Sequence, residues 1–204
     1  EYNSTLNEKN VNTLVLRVVG KIYDDKALDD YSHITLQFNS FYEEPIMVHA
    51  RTIRSDGSVI EVNKDAVQIK TTPDVNGNSR YTDIKFMTFA LPGLELGSAF
   101  EYEIKQVQKK SIIEGEWFDN FFMGGMLQTL VPPYIPRIDP VQTSIVRLTL
   151  PRGQYINYDL TSRKVEPLKQ TMKNQDIYTW NLSDVAGVTI EPVMPSLSNI
   201  NPYL

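Results

Sequence analysis

The side chains here whose types could do chemistry are two histidines, four acids in closely spaced pairs, one oxygen-rich loop and a patch of aromatic rings. His33 and His49 fall at the start or middle of candidate strands, and neither has an Asp, Glu or His two residues away. A zinc site would need more nitrogen or oxygen donors converging from elsewhere, so both read as ordinary strand residues. Glu101 with Glu103, and Glu114 with Glu116, resemble in type the paired carboxylates that flank a sugar bond in glycosidases. In "FEYEIKQV", however, Glu101, Glu103 and Lys105 alternate with Phe100, Tyr102 and Ile104. That is the pattern of solvent-facing acids on a half-buried strand, and Glu101 and Glu103 are expected in water.

"DVNGN", Asp74 to Asn78, offers oxygens at the first, third and fifth positions of a calcium loop. The glycine then comes at position four instead of six, and Lys85 stands where the bidentate glutamate belongs. A plain Asn-Gly turn is the expectation, with no metal and no cofactor. Nucleophilic catalysis has no support either: there is no Gly-x-Ser-x-Gly elbow and no cysteine. The remaining candidates are rings. Trp117, Phe118, Phe121, Phe122 and Tyr134 gather around Gly124-Gly125, and exposed aromatics beside flexible glycines suit sugar stacking or peptide docking. Core packing competes with that reading. If a binding surface exists, Trp117, Phe118, Tyr134 and Arg137 are its residues.

The elements that must hold these residues are strands. Candidates rich in β-branched and aromatic residues run over 13–23, 33–41, 46–54, 59–62, 66–72, 81–89, 100–108, 115–122, 126–130, 142–150, 155–160, 164–172 and 177–182. Turn residues separate nearly all of them, and only Lys26 to Tyr31 looks like a helical turn. The expected fold is all-β: a twisted antiparallel β-sandwich with many short strands and little helix. We expect one domain over residues 1–188, with 1–10 poorly ordered, and an extended linker over 189–204 leading toward a missing C-terminal domain.

Composition narrows the partners. The 204 residues carry a net charge of -5, and adjacent basic residues occur only as the isolated pairs Lys109-Lys110 and Arg163-Lys164. Nucleic acid is therefore disfavoured, because a binder needs a basic face to neutralise phosphates. No apolar run approaches the roughly 20 residues of a membrane span, so no membrane insertion is expected.

Several pieces together resemble one bacterial family, the domain of unknown function found immediately before transglutaminase-like cores. They are "RTIRSDGSVIEV" (Arg51 to Val62), "YTDIKFMTFALPGLELGSAFEYEI" (Tyr81 to Ile104), Trp117 followed by "FDNFF", "RLTLPRGQYINY" (Arg147 to Tyr158) and "YTWNLSDVAGVTIEPVMP" (Tyr178 to Pro195). The resemblance implies a domain without catalytic residues of its own, followed in the same chain by a papain-like Cys-His-Asp core. It also implies export to the periplasm or cell envelope, with the signal absent from these residues. The expected function is a non-catalytic accessory domain that packs against, positions or gates that core. The alternative is a β-sandwich module of the envelope that binds glycan, peptide or protein.

Within "HARTIRSDGSVIEV" the Ser55-Asp56-Gly57-Ser58 loop could be taken for a ligand grip. A phosphate cradle needs more glycines and a following helix. We expect a type I turn through Ser55 and Asp56 with Gly57 in the left-handed position.

Overall fold

The computed structural model describes residues 1–71, 83–125, 138–161, 163–188, 193–195 and 204. In chain order the elements are β1 (Tyr2–Leu6), β2 (Asn12–Lys21), α1 (Asp25–Tyr31), β3 (His33–Asn39), β4 (Glu43–Ile53), β5 (Val59–Glu61), β6 (Gln68–Thr71), β7 (Ile84–Ala90), β8 (Ala99–Gln108), β9 (Val141–Pro151), β10 (Leu168–Thr171) and β11 (Gln175–Val185). Among the described residues one 3-10 turn spans Lys64–Ala66. The chain is all-β, as its alternation and turn residues require, and it forms two compact units: Val11–Glu116, and Glu1–Asn10 with Trp117–Leu204.

In the Val11–Glu116 unit, β2, β8, β4 and β5 are hydrogen-bonded in that order, and β3, β7 and β6 form a second antiparallel sheet. The two pack face to face. Along β8 the alternate residues Phe100, Tyr102 and Ile104 point inward and are buried, as are Ala50 and Met47 on β4. Ile34 and Phe38 of β3 and Met87 and Phe89 of β7 close the core from the other sheet. Burying each such side chain contributes about 1.5–3 kcal/mol, which is why the period-two pattern decides which face turns inward. The short helix begins where Asp24 caps it by accepting from the Ala27 amide at 2.6 Å. Its Tyr31 ring lies on Phe100 at 4.8 Å between centroids, so the helical turn read in the sequence closes one end of the sandwich.

The "SDGS" loop is the expected turn. Gly57 donates its amide to the Arg54 carbonyl at 2.9 Å and has φ of 84°. The Arg54 amide bonds the Ser58 carbonyl, and Asp56 accepts from the Ser58 amide at 2.8 Å. The "LPGLELGS" corner packs beneath this hairpin: a Cβ on Gly93 would meet Ile60 and the Arg54 guanidinium. Glu95 in that corner is exposed.

In the other unit β10, β11, β9 and β1 are neighbours in that order. Val146, Leu148, Leu150, Trp180 and Leu182 supply its buried face together with Leu6. The β1–β9 pair is parallel, Tyr2 standing opposite Val146 and Ser4 opposite Leu148, within sheets that are otherwise antiparallel among the described strands. The first residues are thus strand from Tyr2, where the sequence pattern placed none. Two candidate strands are absent: 115–122 opens on a turn with Gly115 at φ 80°, and 155–160 is unpaired. In the latter, the Tyr158 ring stands edge-on to Trp180 at 5.1 Å and its hydroxyl donates to Glu166. Side-chain packing on a covered sheet replaces ladder bonding there. The candidate strand 126–130 and the "DVNGN" loop lie outside the described residues.

Candidate functional site

The outward face of β2, β8, β4 and β5 carries a group of charges that no single strand announces. Reading across the ladders, Val19, Glu101, Arg51 and Glu61 form one row, and Arg17, Glu103 and His49 form the next. His49 reaches this face through an irregularity in β4. The register shifts between Met47 and His49, so that buried Met47 pairs with Ile104 while His49 pairs with Glu103. One extra residue in a strand reverses which way the next side chain points.

Glu101 is the centre of the group. Its Oε1 accepts from Arg17 Nε at 2.7 Å and lies 2.6 Å from an Arg17 terminal nitrogen. Oε2 accepts from Arg51 Nε at 2.8 Å and from Nη2 at 2.5 Å. His49 Nε2 is 3.7 Å from Oε1, and Glu61 is 4.0 Å from Arg51. Although it points away from the sandwich core, Glu101 is only 4 % exposed, because the guanidinium groups and their stems lie over it. This corrects the expectation that Glu101 projects into water. Burial pushes its carboxyl up most strongly, but the hydrogen bonds from Arg17 and Arg51 and their charges together outweigh burial and hold it below the usual carboxylate range.

A carboxylate held in this way is an ionised acceptor with both oxygens engaged. It is poorly suited to donate a proton in glycoside cleavage, where one acid must be kept protonated. The neighbouring candidates do not complete such a pair: Glu114 and Glu116 are exposed at the chain's far turn. His33 is exposed, with Nδ1 3.1 Å from the Ser32 hydroxyl. Among the described residues no three His, Asp or Glu side chains converge as a metal site.

A second buried acid sits in the other unit. Asp176, at the start of β11, accepts from the Thr171 hydroxyl at 2.7 Å and the Gly153 amide at 3.0 Å, with the Lys169 ammonium 3.6 Å away. The Thr171 and Gly153 hydrogen bonds hold its carboxyl below its ordinary value against the opposing effect of burial. These contacts fasten β10 and the turn after β9 to β11.

The aromatic patch divides into an inward and an outward set. Phe121 is buried, edge-on to Tyr2 at 5.4 Å and beside Trp117 at 6.5 Å. The Tyr2 hydroxyl is pushed up to about 12 by burial and by the Asp119 charge. Trp117 is half-buried, whereas Phe118 is 57 % and Phe122 39 % exposed. Of the four binding candidates, Trp117 and Phe118 are therefore neighbours at the surface, while Tyr134 and Arg137 lie outside the described residues.

Packed sheets and charges neutralised in place define an all-β domain organised around packing. The chain belongs to the DUF3857 family, a domain of unknown function with a solved structure, whose model matches residues 12–189. It is similar over 99 % of its length to a crystal structure of a candidate protease from Parabacteroides distasonis ATCC 8503, with a TM-score of 0.78 and 16 % identity. At that identity the likeness is one of fold. The chain spans 38 % of that protein's length. No curated protein matches this chain. No helix among the described residues is long and apolar enough to cross a membrane.

Proposed function

We propose that this chain is a non-catalytic accessory domain which precedes a transglutaminase-like cysteine peptidase or transferase core in one polypeptide, and packs against, positions or gates that core. The observation that carries the reading is the match to a candidate protease: the whole of this chain corresponds to little more than a third of that protein, leaving most of the longer chain to supply chemistry. The resemblance of "RTIRSDGSVIEV" and the "YTWNLSDVAGVTIEPVMP" stretch to domains that precede such cores points the same way. So does the state of the acids, since the best-placed one, Glu101, is locked between two arginines. Export to the cell envelope belongs to the same reading.

The test uses the full-length protein. The frame after Leu204 should encode a cysteine, a histidine and an aspartate in that order. Changing that cysteine to alanine should abolish amide hydrolysis or acyl transfer, whereas Glu101→Gln should leave kcat within about twofold. Activity that survives loss of the cysteine but disappears with Glu101→Gln would overturn the proposal.

A second reading has one observation in its favour, the exposed Phe118 ring beside half-buried Trp117. A glycan- or peptide-binding module built on these rings would shift tryptophan fluorescence on titration with oligosaccharides or peptides, and Phe118→Ala would remove the response. Silence across a broad panel would end this alternative.

A further inference from the structure

β3 has β7 on one side and, among the described residues, no strand on the other. Which of its backbone groups are left over follows from the bonds at its two ends. The Leu91 amide donates to the Ser32 carbonyl at 3.0 Å and the Ser40 amide to the Asp83 carbonyl at 2.8 Å, and both pairs fall in the register that sets His33 opposite Ala90. In an antiparallel ladder bonded pairs alternate with unbonded ones, so Ile34, Leu36 and Phe38 bond to β7 while His33, Thr35, Gln37 and Asn39 turn their amides and carbonyls away. Asn39 agrees with this phase, since its carbonyl accepts from the Tyr42 amide at 3.0 Å in the turn that follows. His33, Thr35 and Gln37 keep an open row of donors and acceptors among the described residues.

An open edge invites pairing with another chain, and proteins blunt such edges with short strands, lysines and prolines. The other edges follow that rule. β5 has three residues, β6 has four with Lys70 among them, and β10 has four with Lys169 among them and Pro167 just before. β3 has seven residues and contains no proline and no Lys, Arg, Asp or Glu. Its side chains alternate: His33, Thr35 and Gln37 are exposed, Ile34 and Phe38 are buried, and Leu36 between them is half-buried.

We propose that β3 pairs antiparallel with β3 of a second copy of this chain, across a twofold axis at Leu36. Only groups that both point outward can bond, so an odd-numbered residue must face an odd-numbered one, and the register centred on Leu36 is the one that uses the whole strand. Thr35 then faces Gln37 of the second copy and exchanges an N–H and a C=O with it in both directions, while His33 faces Asn39. On the inner face Ile34 meets Phe38 and Leu36 meets Leu36, so each half-buried leucine is covered by the other. No charge faces a like charge along this register. The edge is self-complementary on both faces, as a twofold contact must be, and that property names a second copy as the occupant. The pairing is independent of whether a catalytic core follows in the chain.

Sedimentation velocity of the full-length protein from about 1 to 100 µM tests this, because a dimer held by one edge should dissociate on dilution. Thr35→Pro removes an outward amide and no bond to β7, and should raise the dissociation constant about tenfold or more while the melting temperature of the dilute protein holds. Thr35→Lys with Gln37→Lys sets lysine opposite lysine in both central pairs and should weaken the dimer similarly. Mixing that variant with one carrying Thr35→Glu and Gln37→Glu should restore a mixed dimer. A protein that stays monomeric throughout overturns the inference, whether its Thr35 and Gln37 amides exchange quickly with deuterium, as on an open edge, or slowly, as on an edge covered by another part of the same polypeptide. A dimer that neither set of substitutions weakens overturns it as well.

Discussion

The ring of Phe100 lies across Gly20, its partner in the β2–β8 register, and fills the space a side chain at Gly20 would take. Leu16 and Val18 precede it on the same strand, so Gly20 is the one position where β2 gives way to an aromatic from β8. Gly20→Ala forces Phe100 off its site and disturbs Tyr31, whose ring packs on it at a tilt. Overpacking of this kind costs about 1–3 kcal/mol, read as a lower urea midpoint with an unchanged m-value.

Arg51 meets Glu101 straight across the ladder and Arg17 meets it on the diagonal. Both arginines are more than a third exposed, so on loss of the carboxylate they rehydrate instead of being stranded. Glu101→Gln should therefore cost about 1 kcal/mol, near the value of a surface pair and well short of a broken buried one. The pH dependence has a definite sign. The folded Glu101 carboxyl lies below its unfolded value, so its stabilisation is present above the unfolded value and is lost as pH falls through the folded one. Acid titration of stability below about pH 4 should be shallower in Glu101→Gln than in the unaltered chain. An identical acid limb in both would show that the clamp does not form. Glu43 works in the opposite direction, since burial raises its carboxyl and the hydrogen bond from Gln106 only partly offsets this.

How much of this was legible beforehand depends on whether the signal lay along one strand or across several. Alternation in "FEYEIKQV" places Phe100, Tyr102 and Ile104 correctly, and Asp56-Gly57 announces its turn, because both signals are local. The charge clamp is not local. It needs the β2–β8 and β8–β4 registers and the slip between Met47 and His49, without which strict alternation would bury His49 beside Met47. Alternation along β8 alone therefore makes Glu101 a solvated acid. The parallel partner of Tyr2–Leu6 was invisible for the same reason, since β9 lies more than 130 residues away.

Two glycines with similar backbone angles should respond differently to substitution. Gly57, at φ 84°, has open space around a would-be Cβ, whereas Gly93, at φ 66°, has Ile60 and the Arg54 guanidinium against it. Gly57→Ala carries only the left-handed backbone cost of about 1–2 kcal/mol. Gly93→Ala carries the same cost plus displacement of Ile60, so its melting temperature should be the lower of the two. Equal losses would mean that the "LPGLELGS" corner does not press on the hairpin.

Thr52 stands opposite Phe100 on the inner face of β4, fully buried, and among the described residues its hydroxyl has no hydrogen-bond partner. A polar group in that position lost its water on folding and gained nothing in return. Thr52→Val keeps the branched shape that suits the strand and replaces the hydroxyl with a methyl, so it should raise stability by about 1 kcal/mol, measured by denaturant unfolding. Thr52→Ser keeps the hydroxyl and removes the methyl, and should lower stability by a similar amount. If valine destabilised instead, the hydroxyl would have to be satisfied within the sandwich, and the packing around Thr52 would need to be redrawn.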